Sequence, residues 1–566
     1  MLHCNKNGRR RQSSLIAVTM IVWLWAALGL AQTINLDRQY EPVVLIGKEF
    51  PNFSNNATAL AQLFLYKYSA GTWTQIPFQL DEVEPDPSPT DSTRTTYFGA
   101  GDGKLDDLDE LAFMARDAGD KAATNVWVND ISSLTSARSE IELTDPLTNS
   151  KGYVYLYRST TLSVNPAAKD YVTYVAPPQA NQGNDIIRAQ SYEEGHLNNG
   201  INNSLLVPVS ENGSGANFLD RLKLRFQINI GVPLTFNEDN FALLGLRKQD
   251  GNVRVIRELQ ERISLLGNNI DFPILVRYYG YLSIFATSLN LSNLPTSPIA
   301  VKATLLRLSN DFAPGVNGAN WYNQNLTTAI SVTGSAGNLN STQAVIVNEP
   351  NLNWYMLSSA HGSFINIFSL PSNLGTTRRF YFHDAQNGTN DNTAETGDQK
   401  SYGDGGFLAE GSEIKGVFNL FLVSYILGKD QPRTMAEALA NQASKPLAWK
   451  TLAQSNTVAV QQNDILPQRF VLRQNSPNPV LPSTATIIRY ELPFSGNAPV
   501  SLRIFNLLGQ SVRELVNAVQ PAGQYEARWD GRLENGEIAP AGIYFYQLRA
   551  GQQTLTRKLM LLTTSK

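Results

Sequence analysis

The densest run of chemistry-bearing side chains is Gly99-Ala100-Gly101-Asp102-Gly103-Lys104-Leu105-Asp106-Asp107-Leu108-Asp109-Glu110, five carboxylates within nine residues beside a glycine-rich turn. Carboxylates held this close repel one another unless a cation intervenes, and a loop can wrap their oxygens around a hard ion. Asp102, Asp106, Asp107, Asp109 and Glu110 are the expected metal ligands, with calcium the expected cofactor. Asp81, Glu82 and Glu84 add oxygens if the fold brings them near. A solvated acidic turn is the alternative the same residues allow.

Aligned on Gly103, the run matches part of an EF-hand loop: Asp102, Asp106 and Asp109 fall at useful offsets, but Phe98 and Ala100 stand where ligands belong. A second polar stretch runs from His383-Asp384 through Asn387, Asn390, Asp391 and Glu395 to Asp398 and Gly403-Asp404-Gly405-Gly406. Its turn-forming residues predict a long surface loop suited to calcium or to sugar hydroxyls, or simply a polar connection.

The catalytic inventory is thin. Three histidines, His196, His361 and His383, lie beyond the N-terminal segment, and none is spaced as a metal pair. No Gly-x-Ser-x-Gly elbow or phosphate-binding loop is present, which disfavours a serine hydrolase or an NTPase. Carboxylate-pair glycosidase chemistry stays open, because such acids are recognised by separation in space. A lyase-like set drawn from Arg378, Arg379, Tyr381 and His383 competes with the simpler reading of an alternating strand.

Most of the chain must position these residues with strands. Short runs rich in Val, Ile, Leu, Tyr and Phe, broken by Asn, Gly, Ser, Pro and Asp, extend from Gln32 to about Asn441. Glu41 to Ile46, Lys151 to Tyr157, Val253 to Leu259, Phe272 to Phe285 and Ala300 to Leu308 read as strands, and Ser69-Ala70-Gly71 reads as a hairpin turn. Alternation in Arg221-Leu222-Lys223-Leu224-Arg225-Phe226-Gln227-Ile228 predicts one face in a core and the other in water. Thr434-Met435-Ala436-Glu437 has capping-box spacing and predicts a helix of about ten residues that Pro446 stops. The polar stretch 446–465 reads as a linker.

The balance of 46 basic and 49 acidic side chains provides no polybasic surface for nucleic acid. Lys6 and Arg9 to Arg11 precede an apolar run from Leu15 to Leu28, and Gly29 and Ala31 supply small residues for cleavage. Residues 1–31 therefore read as a cleaved signal helix. No other run reaches membrane-spanning length. Cys4, the single cysteine, falls inside this segment, so thiol chemistry is excluded from the mature chain.

From Leu466 the motifs are Asn475-Ser476-Pro477-Asn478-Pro479, Thr486-Ile487-Ile488-Arg489-Tyr490-Glu491-Leu492, Val500-Ser501-Leu502-Arg503-Ile504-Phe505-Asn506-Leu507-Leu508-Gly509-Gln510 and Arg528-Trp529-Asp530-Gly531. Pro540-Ala541-Gly542-Ile543-Tyr544 and a terminal apolar strand at Leu559 to Leu562 follow. Trp529 can fill a small core, while Asp530-Gly531 and Asn535-Gly536 are turn signals. This segment resembles the type A sorting domain of type IX secretion cargo, of the FlgD/Vpr-type Ig-like family. The resemblance implies delivery to the periplasm by a general signal and then recognition by the outer-membrane secretion machinery.

The expectation is an all-β protein: a large β-sandwich body, of supersandwich type or in two subdomains, over 32–445, and an Ig-like module over 466–566. It is expected to be secreted or held on the outer cell surface, with calcium or a glycan as the body's ligand. A secreted carbohydrate-active enzyme, hydrolase or lyase, is the alternative.

Overall fold

The computed structural model describes residues 36–562 except 86–94, 166–168, 180–183, 266–267, 293, 295–300, 387–395, 457–468, 481–484, 494–497 and 508. The expected signal segment and the second half of the expected linker lie outside the described residues. The chain is all-β and divides into two compact units, one ending at Asn456 and one beginning at Thr457.

Two antiparallel sheets form the main sandwich of the first unit. The nine-stranded sheet runs Phe241–Asp250, Arg254–Leu265, Asn268–Tyr279, Leu282–Asn290, Val417–Leu427, Ser363–Ser369, Asn353–Ser358, Asn320–Asn323, Ile330–Ser331. The six-stranded sheet runs Pro233–Asn237, Leu219–Asn229, Lys302–Phe312, Ser401–Ile414, Thr377–Ala385, Gly337–Asn338. Alternation along each strand buries one row between the sheets: Phe226, Leu306, Leu308, Phe380, Phe382 and Phe407 meet Val255, Leu259, Ile274, Phe364, Phe368 and Leu420.

A smaller sandwich pairs the three-stranded sheet of Pro42–Ile46, Glu110–Met114 and Gln79–Asp81 with the five-stranded sheet that contains Ala137–Thr144 and Lys151–Arg158. Val43, Leu45, Leu111 and Phe113 face Ile141, Leu143, Val154 and Leu156 across it. The other face of Glu110–Met114, through Ala112 and Met114, packs on Tyr279, Trp354, Met356 and Tyr425, so the two sandwiches share a third core.

Several local expectations change. The run Phe272 to Phe285 is two strands, broken at Gly280-Tyr281. The hairpin turn at Ala70 and Gly71 forms, both with positive φ (48° and 83°), but the second strand, which the sequence predicts from Thr72 to Leu80, ends at Gln75. The helix is Arg433–Ser444, with its N-cap at Pro432, two residues ahead of Thr434, and no side-chain cap. Ala448–Ser455, read as linker, pairs in register with Ala137–Thr144 as the edge of the five-stranded sheet. Its side chains are mostly exposed, so an edge strand held by backbone bonds carries a linker's polar composition.

The most consequential correction concerns Leu219–Asn229. Lys223 and Arg225, expected in water, are fully buried. The alternation itself is right, with Leu224 and Phe226 packed on the sandwich core. Period-2 patterning identifies which residues share a face, but a charged row can equally be covered and ion-paired.

The second unit is a sandwich of Val471–Leu472, Thr486–Leu492 and Gly523–Trp529 against Ser511–Gln520, Ala498–Phe505, Gly542–Ala550 and Gln553–Leu561. Trp529, with no exposed surface, fills its core beside Ile488, Leu502, Ile504 and Tyr546. The turn after Phe505 closes with Gly509 at φ 77° and a bond from the Asn506 N–H to the Gln510 carbonyl (3.0 Å).

Candidate functional site

The acidic turn feeds directly into strand Glu110–Met114, which buries Asp109. The Asp109 carboxylate accepts the Val83 N–H (2.9 Å) and the Asp106 N–H (2.8 Å), and burial pushes its pKa up. Asp106 accepts the Leu108 N–H and Asp102 accepts the Lys104 N–H. Glu82 accepts the N–H groups of Asp102 and Gly103, both at 2.6 Å, and Glu84 accepts that of Gly101 (2.7 Å). Asp107 is exposed. Glu110 pairs with Arg254 (2.6 Å) and receives the Tyr97 hydroxyl. The five expected ligands are thus close in sequence, but the carboxylates of Asp102, Asp106, Asp109 and Glu110 are engaged in shaping the turn and the sheet, and the five do not converge on one point. Beside the turn lies an open cleft of about 250 Å³, lined by Glu82, Glu84, Tyr97, Phe98 and Lys248. The Arg247 guanidinium stands 4.7 Å from the Phe98 ring centre.

The lyase-like set disperses. Arg379 pairs with Glu410 (3.0 Å), and Arg378 donates to Asn348 and to the carbonyls of Leu374 and Gly375. Tyr381 accepts from buried Arg307, whose guanidinium lies over its ring, and His383 contacts Asn338.

Carboxylates do converge on the outer face of the six-stranded sheet. Asp220, Asp311 and Asp398 each offer an oxygen within 4.8 Å of the others, and no other group of three or more His, Asp or Glu does so among the described residues. Asp311 sits on Lys302–Phe312, turned away from the core that receives Leu306, Leu308 and Phe312. The next strand places Gly405 opposite Asn310 and Tyr402 opposite Phe312, so Asp404 stands beside Asp311 on the same outer face. Lys223 lies 2.6 Å from Asp311, whose second oxygen accepts the Tyr402 N–H (2.9 Å). Asp220 accepts the Asp398 N–H (3.3 Å), and one Asp398 oxygen accepts the Lys400 N–H (2.9 Å). Burial drives the Asp311 pKa well up, against the pull of Lys223 and with the push of Asp404, and burial also raises Asp220.

Of this group the sequence singled out Asp398 and Asp404, within the second polar stretch, and missed Asp220 and Asp311. Neighbouring Asp384 has another role: its carboxylate accepts the N–H groups of Thr333, Gly334, Ser335, Ala336 and Gly403, pinning one turn to the sheet.

A second polar group joins strand Arg254–Leu265 of the nine-stranded sheet to the start of strand Ile186–Ala189 and to strand Glu193–His196 of a separate four-stranded sheet. Arg257 makes a two-pronged pair with Asp185 (both 2.8 Å), and His196 bridges Asp185 (3.1 Å) and Glu194 (3.2 Å). Burial opposes the charged imidazole, but the two carboxylates outweigh it and raise the His196 pKa. Glu261, on the same strand as Arg257, is fully buried with neither oxygen hydrogen-bonded, and desolvation pushes its pKa up to about 8.

Among known families, the FlgD Ig-like domain matches residues 484–554. No curated protein matches the chain. Among solved structures, an α-mannosidase from Enterococcus faecalis V583 is 11% identical over 86% of this chain and 53% of its own, at a TM-score of 0.36. A glycosyl hydrolase family 38 protein from Enterococcus faecalis is 10% identical over 88% and 56%, at 0.38. Dimeric latent PorU from Porphyromonas gingivalis is 12% identical over 72% and 35%, at 0.16. The chain spans about half the length of the first two. Backbone likeness at this level assigns neither a fold nor an activity to the body.

Proposed function

We propose that the chain, which carries an FlgD Ig-like domain, is exported to the bacterial surface or medium and that residues 466–566 are the address read by type IX secretion machinery. The body is the cargo. The observation that carries this reading is the match of residues 484–554 to the Ig-like family on a unit with its own closed core. The strand Gln553–Leu561 pairs along its whole length with Gly542–Ala550 and buries Leu559 and Leu561, so the end of the segment belongs to the folded domain. Export also accords with a signal-like N-terminus and with a mature chain free of cysteine. Among the described residues no helix is long and apolar enough to cross a membrane.

Deleting residues 466–566 in a host with type IX secretion should empty the extracellular and surface pools and leave the body in the periplasm, as read by fractionation and immunoblot. Undiminished extracellular protein would sink the sorting role.

A further inference from the structure

We propose that Asp220, Asp311 and Asp398, backed by Asp404, form a binding site for a hard divalent cation, calcium in the first instance. Asp220, Asp311 and Asp398 converge, with Asp404 beside Asp311 on the same covered sheet face, and the ammonium of Lys223, 2.6 Å from Asp311 and also donating to the Lys400 carbonyl (3.0 Å), brings a single positive charge to them. The nearest guanidinium to Asp220, that of Arg221, is 3.9 Å away through Nε, and its Nη1 lies closer to Asp239 (3.0 Å) and Glu238 (3.6 Å).

Asp404 has no exposed surface and neither of its carboxylate oxygens has a hydrogen-bond partner, and one buried oxygen of Asp398 is likewise unpartnered. Buried ionised carboxylates without donors or counter-ions are strongly unfavourable, and a divalent cation supplies the missing charge to several at once. An all-oxygen donor set selects calcium, magnesium or manganese over zinc or copper. The site differs from the acidic turn at Asp102 to Glu110, where backbone N–H groups, Arg254 and the Tyr97 hydroxyl already serve most of the carboxylates.

The test is calcium titration of the mature full chain by calorimetry, with melting temperature followed in parallel. Calcium should raise the melting temperature by about 2 °C or more near saturation. Asp398→Asn and Asp404→Asn should each weaken calcium binding at least about tenfold, whereas Asp102→Asn should leave it unchanged. Absence of calcium and magnesium uptake, or loss of uptake in Asp102→Asn alone, would overturn the proposal. A manganese-soaked crystal of the unaltered chain needs no variant. An anomalous peak among Asp220, Asp311 and Asp398 supports the site, and a peak confined to the 102–110 turn, or none, contradicts it.

Discussion

Arg254→Ala is expected to destabilise the body by about 3–5 kcal/mol, the cost of stripping a buried carboxylate of its charged partner. Arg254 is 1% exposed and Asp81 is fully buried. Its Nε and Nη2 reach Asp81 at 2.9 and 2.6 Å, and Nη2 also reaches Glu110 at 2.6 Å. The pairing ties strands Gln79–Asp81 and Glu110–Met114, in the small sandwich, to the nine-stranded sheet. Gln79 reinforces it by accepting the Arg254 N–H (2.9 Å) and donating to Asp81 (2.7 Å). In the variant Asp81 keeps the amides of Gln79 and Gln249 but no cation. Denaturant unfolding measures the loss, and a change below about 1 kcal/mol would show that the pair is not the clamp between the sheets. Removing both charges, as Arg254→Met with Asp81→Leu, should recover much of the loss, because the penalty comes from the orphaned charge.

The second large effect is on pH dependence. The Glu261 carboxyl has a folded-state pKa of about 8, raised by desolvation and only partly offset by Arg257, against an ordinary value of 4.5. A folded-state value above the unfolded one means that stability is fully present below the unfolded pKa. It is lost as pH rises from about 4.5 through about 8. His196 is also raised and adds a loss of the same sign at higher pH than its ordinary value. The linkage for Glu261 is worth a few kcal/mol across the window. Glu261→Gln keeps the shape and removes the titration, so its melting temperature should fall markedly less than that of the parent between pH 6 and pH 9. Parallel pH profiles for the two proteins would contradict the assignment.

Much of the architecture was legible because strand signals are local. Alternation and turn residues announce sheets wherever they occur, and the Ig-like unit carries its core tryptophan and its turn glycines in one continuous segment. Two features escaped. Ala448–Ser455 looked like a linker because an edge strand owes its place to the partner's backbone, which side-chain composition does not record. The carboxylate cluster escaped because Asp220, Asp311 and Asp398 come from segments far apart in sequence and meet through sheet register. The one available signal was the charged row Arg221, Lys223, Arg225, and it pointed to solvent. The compact acidic turn drew attention instead, since closeness in sequence resembles closeness in space; there the carboxylates mostly bond to nearby backbone.

Transplantation is the sharpest test of the Ig-like unit as an export address. Residues 457–566 would be joined to the C-terminus of a reporter that carries a general signal peptide and otherwise stays in the periplasm. Reporter is expected at the surface or in the medium of a host with a working type IX system, and in the periplasm of the same host once that system is disabled. Reporter that remains periplasmic in both hosts, with the appended unit folded, would contradict the export role.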